Sequence, residues 1–110
     1  MKPSTLTMTP AQRAIYTRLL ATARTIGLFK EDPKKTSIHL TRKTAFAGVA
    51  TRKDALLVTI KAAADIRSRR IVKHQHASAQ RWYLDVRLER PEDVDRELKS
   101  WLAAAMALAS

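Results

Sequence analysis

The hydropathy pattern predicts an α+β fold: an antiparallel four- to five-stranded sheet with an N-terminal and a C-terminal helix packed on one face. Three observations lead there. Apolar residues recur three and four apart from Ile15 to Ile26 and again from Val94 to Ala105, the period of one helix face. Between those segments, short stretches alternate apolar and polar, the period of a strand with one wet face. The elements are segregated, helix then strands then helix, rather than interleaved as in an α/β chain.

Taken in order, residues 1–8 form a polar, flexible lead-in, and residues 9–110 a single α+β domain. Thr9-Pro10 starts the first helix: Thr is a good N-cap, and Pro suits the first helical position because its missing N–H has no partner there. Ile15, Tyr16, Leu19, Leu20, Ala23 and Ile26 lie on its apolar face, and Gly27 is a natural stop. Lys30 to Lys35, with Pro33 inside, reads as a charged connector.

Ser37 to Leu40 alternates, with Ile38 and Leu40 on one side. A second short strand puts Phe46, Gly48 and Ala50 on one face and Ala47 and Val49 on the other. Leu56, Val58 and Ile60 then alternate with Leu57 and Thr59, and Val, Thr and Ile favour strands. Thr51 to Asp54 is the turn between them, without the Asn-Gly or Asp-Gly signal of a tight hairpin. A second reading makes Phe46–Ala50 and Asp54–Ile66 helices, because Leu57, Ile60 and Ala64 also fit helical spacing. Ile71 opens a strand that runs to about Gln75, followed by a polar loop from His76 to Gln80. The clearest strand comes next: Trp82, Leu84, Val86 and Leu88 face one way and Tyr83, Asp85 and Arg87 the other. Arg90 to Asp93 begins the last helix, with Pro early and acidic residues at the positive end of the helix dipole. Its apolar face is Val94, Leu98, Trp101, Leu102 and Ala105.

Composition narrows the functional classes. The chain has 110 residues, 21 Lys+Arg against 10 Asp+Glu, a net charge of +11, and no cysteine. That excludes a disulfide framework, a thiolate metal site and a cysteine nucleophile. The only glycines are Gly27 and Gly48, so no Gly-rich phosphate loop exists. No apolar run approaches the roughly 18–20 residues of a membrane span, and the N-terminus lacks a secretory signal, which predicts a cytoplasmic protein with no membrane partner. Ser37, Ser68 and Ser78 carry no nucleophile-elbow signature. The acids Glu89, Glu92, Asp93, Asp95 and Glu97 cluster at a helix start, where the dipole and nearby Arg90, Arg96 and Lys99 account for them. His39, His74 and His76 are read as loop or surface histidines rather than metal ligands. No catalytic residue, metal or cofactor is expected.

The basic residues are the functional signal. Residues 1–88 hold 18 basic and 5 acidic side chains, a net of +13. Arg42, Lys43, Arg52, Lys53, Arg67, Arg69, Arg70 and Lys73 all fall at predicted strand ends or loops, and a meander would bring several of them to one edge or face able to hold phosphates. Tyr83, pointing away from the Trp82 face beside Arg81 and Arg87, is the candidate for stacking on a base.

The chain also resembles an uncharacterised bacterial family of small domains of unknown function, some members of which are labelled predicted transport proteins. The resemblance rests on Lys35-Thr36-Ser37-Ile38-His39-Leu40, on Phe46-Ala47-Gly48-Val49 followed by Arg52-Lys53, and on Ser68-Arg69-Arg70-Ile71 with Lys73. It ends with Val86-Arg87-Leu88 and the segment from Pro91-Glu92-Asp93-Val94-Asp95 to Trp101. It implies strands at Phe46–Val49 and Leu56–Ile60, and no established activity or cofactor. The expected function is a non-catalytic binding module for an anionic partner such as nucleic acid. The alternatives are a protein–protein or self-association module, a homodimer through the sheet face, and a winged-helix DNA-binding protein with Arg52 and Lys53 leading its recognition helix.

Overall fold

A computed structural model describes residues 7–109, so most of the predicted lead-in of residues 1–8 lies outside the described residues. The first helix, α1 (Pro10–Arg24), starts where Thr9-Pro10 predicts. Thr9 Oγ1 accepts the Gln12 amide at 3.1 Å, and Gln12 Oε1 accepts the Thr9 amide at 2.9 Å, a reciprocal cap. The same Gln12 side chain is buried, and its amide group donates to the carbonyls of Arg52 at 2.7 Å and Ala55 at 3.0 Å. One residue therefore caps the helix and fastens it to a turn some forty residues away.

Gly27 is not the helix stop. The helix ends at Arg24, with the Thr25 hydroxyl donating to the Thr22 carbonyl, and no glycine has positive φ. A Cβ on Gly27 would lie 3.1 Å from Arg42 Nη1 and 3.2 Å from Met106 Sδ, so a larger residue here would have to push aside the ends of two side chains.

Six strands follow, not four or five: β1 (Lys30–Pro33), β2 (Ile38–Thr41), β3 (Ala45–Arg52), β4 (Ala55–Ala62), β5 (Ile71–Ser78) and β6 (Arg81–Leu88). The extra strand is the segment that reads as a charged connector. Its charges and Pro33 suit an exposed edge, where a proline forfeits no ladder bond and charge discourages pairing with other chains. Tyr16 and Arg24 of α1 both bond to Glu31 of this strand, tying helix to edge. The sheet order is β1-β2-β3-β4-β6-β5, with every neighbouring pair antiparallel. It is thus not a simple meander: β6 inserts beside β4, and residues 63–70 carry the chain to the far edge with Ile66 packed on the core.

The alternative helical reading fails, because Phe46–Ala50 lies within β3 and Ala55–Ala62 of the second stretch is β4, which removes the winged-helix fold and its recognition helix. The β3–β4 turn is closed by Lys53 and Asp54, with Asp54 in the left-handed region at φ 57°. The alternation of β3 fails at Phe46. The β2–β3 register shifts between Leu40 and Thr41, and Phe46 is wholly buried, edge-to-face with Phe29 at 5.7 Å. β5 runs on to Ser78 through the predicted polar loop, and His76 stacks on Trp82 at 4.2 Å.

The last helix starts later than predicted. Pro91–Asp93 is a single 3-10 turn, the helical conformation stops at Val94, and α2 (Arg96–Leu108) begins after its own N-cap, Asp95, which accepts the Leu98 amide at 3.0 Å. The Lys43 and Thr44 amides donate to the Ala109 carbonyl at the helix's far end. Leu40, Val49, Leu56, Val58, Leu84, Val86 and Leu88 share one sheet face and are fully buried against Ile15 and Leu19 of α1 and Leu98, Leu102 and Met106 of α2. Each such side chain contributes roughly 1.5–3 kcal/mol by leaving water. No described helix is long and apolar enough to cross a membrane.

Candidate anion-binding face

The strand register sets the opposite face. His39, Gly48, Thr59, Asp85 and Lys73 form one row across five strands, and Lys61, Tyr83 and Gln75 form the next. Two residues along β6 from Tyr83, Arg81 is on this side as well, diagonal to Lys61. No helix among the described residues covers this face.

Small residues on β3 make it concave. Gly48 and Ala50 lie lower than the side chains on either side, leaving a groove of about 260 Å³ with Ser37 and His39 on one wall and Thr59, Lys61 and Tyr83 on the other. A Cβ on Gly48 would meet only His39 Cδ2, at 3.7 Å, so neither packing nor backbone angle demands glycine there.

Lys61 is the unusual group. It is 9% exposed, and its Nζ donates to Thr44 Oγ1 at 3.0 Å, with no carboxylate within ion-pair distance among the described residues. Burial, and then the positive charge of Arg81, push its pKa below the usual lysine value. Lys73 and Arg81 also lack an ion-pair partner among the described residues, so Tyr83, half-buried, is ringed by three cations with no acid paired to them. Asp85, the acid of the next row, accepts the Thr59 hydroxyl at 2.6 Å.

The residues singled out in the sequence do not converge. Arg42 and Lys43 sit on the β2–β3 turn, at the same sheet end as Lys61 and Arg81. Arg52 and Lys53 lie at the other end of β3, about 25 Å away at roughly 3.4 Å per residue. Arg67 and Arg69 are exposed on the 63–70 connection, off the groove. Arg70 is engaged within the protein: it bonds to Asp95 at 2.8 Å, to Glu97 at 3.1 Å and to the Asp93 carbonyl, and lies over the Trp101 ring at 5.6 Å. Lys73 and Tyr83 do share the open face. His39 is separated from His74 and His76 by the width of the sheet, and His74 bonds to Asp65 at 2.6 Å.

Lys61 is the member of this face that sequence reasoning missed, while Gly48 and Arg81 were placed on strand faces without being assigned to a site. The signal was parity: Lys61 continues the Leu57, Thr59 alternation one step past the predicted end of β4, and Arg81 precedes Tyr83 by two.

Residues 4–109 match a family described as Domain of unknown function (DUF5655). No curated protein and no solved structure matches the chain.

Proposed function

The chain belongs to the DUF5655 family of domains of unknown function, and for this member we propose a non-catalytic module that binds single-stranded nucleic acid on the open sheet face. The observation that carries the reading is Tyr83 ringed by Lys61, Lys73 and Arg81, none of them ion-paired among the described residues. A base stacks on the ring, and the cations take the flanking phosphates. Face-to-face self-association would oppose like charges, so the face suits a polyanion better than a second copy. The domain organisation belongs to the same proposal: residues 9–110 act as one unit.

Fluorescence anisotropy with a labelled oligothymidylate tests this. Three neutralised phosphates give a log–log salt slope of about −2, so affinity falls roughly 30-fold from 50 to 250 mM salt. Tyr83→Ala lowers affinity about tenfold, within the usual range for one stacked base. Absence of binding at low salt, or an affinity indifferent to both salt and Tyr83→Ala, would refute the reading.

A further inference from the structure

We infer that the Lys61 end of the β3 groove is a seat for one phosphate group, with the nucleoside that carries it lying along β3 over Gly48. The inference rests on the nucleic-acid reading for its ligand class, but it names a built subsite where that reading needs only a charged face.

Four observations support it. The Lys61 stem is buried while its ammonium is only partly so, and the Thr44 hydroxyl meets only part of the hydrogen-bonding capacity of a group that has no carboxylate partner among the described residues. Arg81 stands diagonally across the ladder with no acid between the two, so two cations face one another with no counter-charge from the chain. An arriving phosphate relieves both. Thr44 accepts from Lys61 and still has its own hydroxyl proton to donate, which adds a third donor beside the Lys61 ammonium.

The fourth observation concerns the floor. A glycine inside a strand is weakening, and it is expected where a turn, a bulge or a close approach requires it. Gly48 has no positive φ, and nothing but one His39 carbon lies near where its Cβ would be. What its missing side chain provides is clearance in the groove. Asp85, the acid nearest the groove, is held by the Thr59 hydroxyl in the row beyond Lys61, away from the Lys61 end. The depressed pKa of Lys61 fits an ammonium awaiting an anion.

The test is backbone amide NMR with three probes: inorganic phosphate, adenosine 5′-monophosphate and the oligothymidylate. Under this assignment the mononucleotide produces saturable shifts centred on Thr44, Gly48 and Lys61. Lys61→Met or Arg81→Gln weakens it tenfold or more. Gly48→Ala, which packing tolerates, weakens the mononucleotide several-fold while leaving inorganic phosphate nearly unchanged. Circular dichroism of each variant confirms folding. Shifts from the mononucleotide and not from the oligonucleotide would keep the subsite, assign it to free phosphomonoesters and refute the strand-binding reading. Oligonucleotide binding that depends on Tyr83 but is indifferent to Lys61→Met and Gly48→Ala would keep the face and overturn the subsite. No saturable shift at this end with any phosphate probe would overturn it as well.

Discussion

Replacing Arg70 with Ala should unfold the protein about 9 °C earlier while leaving oligonucleotide affinity unchanged in the folded state. The magnitude comes from its contacts. Asp95 and Glu97 are each about half exposed, with side-chain exposures of 47% and 52%, so the two ion pairs contribute at the low end, about 0.2–1 kcal/mol each. The bond to the Asp93 carbonyl adds about 1 kcal/mol, and the position over Trp101 roughly 0.5. The sum is about 2 kcal/mol. A chain of this length has an unfolding entropy of about 0.23 kcal/mol/K at its midpoint, which converts that loss to about 9 °C. Acid supplies a second check. Partial burial works to raise the Asp95 carboxyl, but the Leu98 amide and the Arg70 guanidinium outweigh it and hold the group below its ordinary 3.8. A depressed carboxylate contributes stability above its unfolded pKa and loses it as pH falls through the folded one. The ion-pair part of the gap between wild type and Arg70→Ala is therefore full at neutral pH and is lost as pH falls below about 3.8, leaving the larger part from the Asp93 carbonyl and Trp101. Thermal denaturation followed by circular dichroism at pH 7 and at pH 2–4 measures both. A loss under about 2 °C at neutral pH, or a fall in oligonucleotide affinity greater than twofold at a temperature where the variant is folded, would refute the assignment of Arg70 to the framework.

Other substitutions test other parts of the argument. Gln12→Ala strands the Arg52 and Ala55 carbonyls and the Thr9 amide, and should cost about 2 kcal/mol by urea denaturation; a loss under 0.5 kcal/mol would mean that α1 docks without this fastening. Lys61→Met should leave the melting temperature unchanged or slightly raised at pH 7 in phosphate-free buffer, because it removes a partly desolvated charge and keeps the apolar stem, and a clear fall would contradict that reading. The sign in wild type follows: with the folded pKa below the unfolded value, stability rises with pH through the window between that lowered value and the ordinary 10.5. Asp85→Asn should tighten oligonucleotide binding several-fold at low salt by removing the acid beside Lys73 and Tyr83, and weaker binding by anisotropy would contradict the charge argument.

Much of the framework was legible because it rests on local rules. Thr9-Pro10 marks a helix start through its capping chemistry, and Trp82 to Leu88 marks a half-buried strand through strict period two. The failures have physical causes too. β1 has no apolar residue to alternate, because an edge strand at the sheet rim is stabilised by pairing with β2 and by Tyr16 and Arg24 rather than by burial. The start of α2 moved because Asp93 is spent on the amides of Glu89 and Arg90, leaving Asp95 to cap the helix.

The candidate face was less legible. A run of Arg and Lys looks the same whether it meets solvent, a ligand or the chain's own acids. Arg70 and Arg67 are three residues apart and have different surroundings, which only the approach of Asp95 and Glu97 from a distant segment decides. The insertion of β6 beside β4 also placed Lys61 next to Tyr83, a pairing that a meander reading does not contain.

That insertion has a consequence during synthesis on the ribosome. In a meander each strand finds its neighbour in the strand made just before it. Here β4, an apolar strand reading Ala55-Leu56-Leu57-Val58-Thr59-Ile60-Lys61-Ala62, pairs on one side with β3 and on the other with β6, which is completed only at Leu88. At about 5–20 residues per second, the 26 residues from Ala62 to Leu88 leave that edge of the nascent chain unpaired for roughly 1–5 s. Over that interval one edge of this apolar, β-branched strand is exposed, and slowing elongation between codons 63 and 88 lengthens its exposure.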